Sequence, residues 1–182
     1  MSQFVIARIN DGCQPLDRGE FYEDPLAEAL EGSGLAEVTG GGSQLDENMQ
    51  ILYCELEIEV TGSMDEAKKL ILDALTKAGA PKGSKLIFND REEEFGDCER
   101  LALHFDNVNL PDKVYEKNDI NDVIEKLEDL LGDAGKMTSH GRTEAATIVY
   151  FTGRSFAEMK QLISDFISEH PLLENSKVQK AV

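Results

Sequence analysis

The stretch Ile51-Leu52-Tyr53-Cys54-Glu55-Leu56-Glu57-Ile58-Glu59-Val60 decides the fold. Leu52, Cys54, Leu56, Ile58 and Val60 alternate with Tyr53, Glu55, Glu57 and Glu59. A period of two predicts a β-strand with one apolar and one acidic face. Thr61-Gly62 ends it, and Ser63 is placed to cap a helix running to about Ala78. Ala67, Leu70, Ile71, Ala74 and Leu75 fall on one side of that helix. A half-apolar strand followed by an amphipathic helix reads as part of an antiparallel sheet with helices over one face.

Working outward, Phe4 to Ile9 is a short apolar run that reads as a buried strand. Asp24-Pro25 opens a short helix that ends at Gly32, with Asp24 as its cap. Leu35 to Thr39 reads as a strand leading into a turn at Gly40-Gly41-Gly42, and Leu86 to Phe88 as another strand. The acidic stretch around Glu92, Glu93 and Glu94 has no periodicity and reads as a linker over residues 91–98.

The same order then recurs. Leu101 to Phe105 is a strand, and a helix capped by Asn118 or Asp119 runs to Leu131. Lys136 to His140 is a short strand before a turn at Gly141, and Ala145 to Phe151 is a strong strand. Ser155 starts a helix that ends before Pro171, and Ser176 to Val182 is a final strand. At an offset of 92, Glu66, Lys68, Leu70, Ile71 and Asp73 match Glu158, Lys160, Leu162, Ile163 and Asp165. The expected architecture is therefore α+β: two tandem ferredoxin-like (βαββαβ) halves over residues 1–90 and 99–182, with antiparallel sheets and helices on one face.

The chain has 182 residues and a formal net charge of −18. Residues 1–95 carry −12 of this and the remainder −6. Phosphate neutralisation requires an excess of Lys and Arg, so the balance argues against nucleic acid, and equally against an anionic membrane surface. Met1-Ser2-Gln3-Phe4 does not read as a secretory signal, and three widely spaced cysteines without a CxxC pair fit a reducing, cytoplasmic setting. Cys54 is expected to be a buried small hydrophobe, and Cys13 and Cys98, near strand ends, to be partly exposed.

Two groups of residues stand out. Glu55, Glu57 and Glu59 share one strand face, and Glu92, Glu93 and Glu94 are consecutive; together they form a candidate surface for a basic protein partner. Gly40, Gly41, Gly42, Ser43 and Gln44 in the first half and His140 and Arg142 in the second form candidate ligand loops. The glycine run lacks the lysine of a P-loop and the spacing of a dinucleotide fingerprint. His140 with Glu144 as a general base lacks a nucleophile of recognisable signature, and no HExxH, GxSxG or EF-hand pattern occurs. The sequence points to a non-enzymatic acidic binding module without cofactor or metal, such as an immunity or inhibitor protein that neutralises a basic toxin or effector. The alternative is a regulatory or sensor protein that binds a small ligand.

Overall fold

The computed structural model describes residues 3–181, so Val182, the predicted end of the last strand, lies outside the described residues, as do Met1 and Ser2. The chain divides into two units, Met1–Cys98 and Glu99–Val182. It has an α+β fold with two antiparallel sheets of ferredoxin-like character.

The first unit begins with strand β1, Gln3–Ile9. Helix α1, Pro15–Arg18, runs through a π-helical segment, Gly19–Glu23, into α2, Asp24–Leu30. Then come β2 (Ala36–Leu45), β3 (Ile51–Val60), α3 (Met64–Lys77), β4 (Ser84–Phe88) and β5 (Arg91–Phe95). The sheet order is β2-β3-β1-β4-β5, and every pairing is antiparallel. Val5, Ala7, Ile9, Leu56, Ile58 and Val60 point to the inner face and are buried with Ala67, Ile71 and Leu75 of α3. Each large aliphatic side chain buried this way contributes about 1.5–3 kcal/mol.

The second unit is built from β6 (Glu99–Asp106), α4 (Asp112–Lys117), α5 (Ile120–Leu131), β7 (Lys136–Arg142), β8 (Ala146–Gly153), α6 (Phe156–Glu169) and β9 (Lys177–Ala181). Its sheet order, β7-β8-β6-β9, repeats the first four positions of the other sheet. Val123, Leu127 and Leu131 of α5, with Met159 and Ile163 of α6, pack on Leu101, Leu103 and Phe151. Asp119 caps α5 by accepting from the Asn121 N–H at 2.8 Å, and Ser155 caps α6 by accepting from the Glu158 N–H at 3.2 Å.

Four local expectations are corrected. Residues 91–95 are not a linker but the strand β5, paired with β4 through a two-residue turn at Asn89 and Asp90. Both turn residues have positive φ, 48° and 60°, the geometry that lets a tight hairpin follow the strand twist. Consecutive glutamates are tolerated because Lys85 and Lys68 stand beside them. The glycine run is not a turn either: Gly40 to Gln44 continue β2, and the chain reverses at residues 46–50, where the Asp46 carboxylate accepts from the N–H groups of Asn48 and Gln50. Asp24 does not cap a helix: it is the first residue of α2 and helical backbone is already under way from Pro15. Likewise Gly141 lies within β7, and that hairpin closes at Thr143, whose N–H donates to the Ala146 carbonyl at 2.8 Å.

Candidate functional site

The outer face of the first sheet gathers residues that lie far apart in the sequence. On β3, Glu55, Glu57 and Glu59 alternate with buried Cys54, Leu56, Ile58 and Val60. Strand register places Arg8 opposite Glu55, Ile6 opposite Glu57 and Phe4 opposite Glu59. On the other side of β3, Glu37 of β2 faces Glu59. Beyond β1, Lys85 and Ile87 of β4 lie opposite Glu94 and Glu92 of β5. The face thus has an apolar centre of Phe4, Ile6 and Ile87, with carboxylates on both flanks. Phe4 is 60% exposed, unusual for an aromatic side chain on a sheet.

Two cations temper this face. Arg8 Nε donates to Glu55 Oε1 at 2.8 Å, and its guanidinium lies 4.4 Å from the Tyr53 ring centroid. Lys85 Nζ donates to Glu92 Oε2 at 2.5 Å, and this ammonium holds Glu92 below its usual carboxylate range. Glu37, Glu57, Glu59 and Glu94 have no ion pair among the described residues. Glu93 does not belong to this face. It lies opposite buried Leu86, on the helix side of the sheet, and pairs with Lys68 of α3 at 2.7 Å.

The expected ligand loops are edge strands. Gly40 and Gly42 lie opposite Glu57 and Glu55. Gly41 points inward, where a Cβ would stand 2.8 Å from Glu23 Oε1, 3.1 Å from Arg18 Nε and 2.9 Å from the Glu55 carbonyl oxygen. The glycine therefore admits the Arg18–Glu23 ion pair, 2.5 Å, onto the strand. Ser43 Oγ accepts from Arg18 Nη1 at 3.3 Å, and Gln44 donates to the neighbouring Leu45 carbonyl at 2.9 Å. In the second unit His140 is exposed on β7. Arg142 lines a cleft of about 660 Å³ with Asn107, Tyr115, Asn118 and Thr147. Asp106, which also lines that cleft, accepts from the N–H groups of Val108 and Asn109 and from the Asn109 and Asn175 carboxamides. These bonds, led by that of Val108, hold its carboxyl down at about 2.

Sequence reasoning missed Glu37 and the apolar centre. The Phe4–Ile9 run reads as wholly buried, yet only Val5, Ala7 and Ile9 are. The available signal was parity: once β1 pairs with β3, Phe4 and Ile6 must share the face of the glutamates. Among the described residues no group of three or more His, Cys, Asp or Glu is arranged to hold a metal ion, and no helix is long and apolar enough to cross a membrane.

No family model matches the chain, and no curated protein matches its sequence. Several solved structures are similar over nearly their whole length. A "putative monooxygenase" from Lactobacillus acidophilus NCFM is 15% identical, covering 100% of this chain and 93% of its own, at a TM-score of 0.33. The first two RRM domains of the yeast poly(U)-binding protein are 12% identical, with 98% and 99% covered and a TM-score of 0.26. The regulatory subunit of aspartate kinase from Thermus flavus is 12% identical, with 91% and 94% covered and a TM-score of 0.30. At these identities and TM-scores nothing is carried over from them to this chain.

Proposed function

We propose that the chain is a non-enzymatic binding protein made of two tandem βαββαβ halves, and that the outer face of its first sheet takes a basic protein partner. The role that suits this face is that of an immunity or inhibitor protein which occludes the cationic cleft of a toxin or effector. The supporting observation is convergence. Register brings Glu37, Glu55, Glu57 and Glu59 from one side, and Glu92 and Glu94 from the other, onto one face around exposed Phe4. An apolar centre with a charged rim is the anatomy of a docking surface. Carboxylates at the rim steer a cationic partner in and fix its orientation.

The reading is tested with an isotopically labelled chain and a lysine-rich peptide carrying one aromatic residue. Expected are shifts in the amide signals of Phe4, Ile6, Glu57, Glu59 and Ile87. Shifts confined to the acidic surface around Asp119 and Asp122 would contradict it.

A second reading rests on the cleft at Arg142, where cationic, amide and carboxylate groups together suit a small polar ligand. Thermal stabilisation by a metabolite, lost in Arg142→Ala, would support that role.

A further inference from the structure

Cys13 and Cys54 are 41 positions apart in sequence, yet their sulfurs lie 3.6 Å apart within the first core. Both are thiols with no solvent exposure, and Cys98 is also buried, so neither Cys13 nor Cys98 has the partial exposure expected of it. The two members of the close pair differ in backbone setting. Cys54 is fixed in β3, between Ile9 of β1 and Ser43 of β2. Cys13 belongs to the irregular segment of residues 10–14 that joins β1 to α1. A disulfide needs the sulfurs at about 2.05 Å, so closure requires a shift of roughly 1.5 Å. Cys13 lies outside the strand ladder, so a shift on its side breaks no strand pairing.

We propose that Cys13 and Cys54 form a specific oxidative modification site, closing to an intramolecular disulfide by exchange with a small disulfide of the glutathione class. The Cys13 thiolate attacks the small disulfide, breaks its S–S bond and releases one small thiol. The Cys54 sulfur then attacks the mixed disulfide on Cys13, forming the Cys13–Cys54 bond and releasing a second small thiol. The protein loses two electrons and two protons, and the small disulfide gains them. The hydrogen bond to Cys54, together with burial, pushes the Cys13 thiol above its usual range. With both sulfurs out of solvent, the closed core shields the pair, so exchange requires the segment of residues 10–14 to open. The product ties the connection into α1 to the middle of β3, which constrains the unfolded chain over a long loop.

The full chain is equilibrated in buffers of rising glutathione disulfide content, quenched in acid, then denatured and alkylated. Mass spectrometry counts the thiols, and peptide mapping locates the link. Expected are one alkylated cysteine instead of three, a linked Cys13–Cys54 peptide, and an unfolding midpoint several degrees higher that dithiothreitol reverses. The Cys98→Ala variant should close the same link, and Cys54→Ser should form no intramolecular disulfide. Should Cys54→Ser fail to fold, Cys98→Ala carries the test alone. Three alkylatable cysteines at the most oxidising poise, or a link that includes Cys98, would overturn the proposal.

Discussion

Glu37 and Glu59 stand directly opposite one another on β2 and β3, facing outward. Directly opposed like charges destabilise a sheet, and a residue chosen for stability alone would be of opposite sign. Glu37→Lys is therefore expected to stabilise the chain by about 0.5 kcal/mol in urea unfolding while weakening the basic partner. A stabilised variant that binds unchanged would show that Glu37 lies outside the functional face.

Buried Tyr22, in the π-helical segment, donates to Asp11 Oδ2 at 2.9 Å, and Asp11 is itself fully buried. Removing the phenolic hydroxyl withdraws a donor from a buried carboxyl group. Tyr22→Phe should cost about 1–3 kcal/mol, read as a lower urea midpoint with an unchanged m-value.

The same contact predicts an alkaline limit. Burial, and then the Asp11 charge, push the Tyr22 hydroxyl above its ordinary value. A raised folded pKa gives stability that is complete below the unfolded value of about 10 and is lost as pH rises above it. Tyr22→Phe should flatten that loss in thermal scans through the alkaline range. Parallel curves for the two proteins would contradict it.

Asp106 contributes acid sensitivity to the second unit. Its carboxyl is held at about 2, first by the Val108 N–H and then by Asn109. A depressed folded pKa gives stability that is present above the unfolded value of about 3.9 and is lost as pH falls towards 2. Carboxyl chemical shifts in an NMR titration should give Asp106 a midpoint well below those of exposed aspartates. Asp106→Asn should remove its share of the acid sensitivity.

Much of the scaffold was legible because alternation and helical spacing are strong signals. The Ile51–Val60 strand, the α3, α5 and α6 helices and the second-unit strands follow from them. What failed was punctuation. Gly40 to Gly42 look like a turn, but glycine also marks a strand pressed by a neighbour, here the Arg18–Glu23 pair over Gly41. Glu92 to Glu94 look like a linker, because edge-strand charge carries no period when its cations, Lys68 and Lys85, come from other elements. Of the candidate site, the glutamates on β3 were visible, since one strand displays them. Glu37, Phe4 and Ile87 were not, because only register between strands assembles them.

Gly41→Ala places a methyl group against the Glu55 carbonyl and the Arg18–Glu23 pair, and overpacking of this kind costs about 1–3 kcal/mol. Gly42→Ala meets open space and should be nearly neutral in the same urea unfolding experiment.

The central claim is tested most directly by association kinetics with a basic protein captured from the host. The full chain is compared with a Glu57→Lys/Glu59→Lys variant across a range of ionic strength. Screening over about 8 Å at physiological salt makes steered association slow as salt rises. The account predicts a steep salt dependence for the wild-type chain and an association rate at least about tenfold lower for the variant. A salt-insensitive rate that survives the double charge reversal would contradict it.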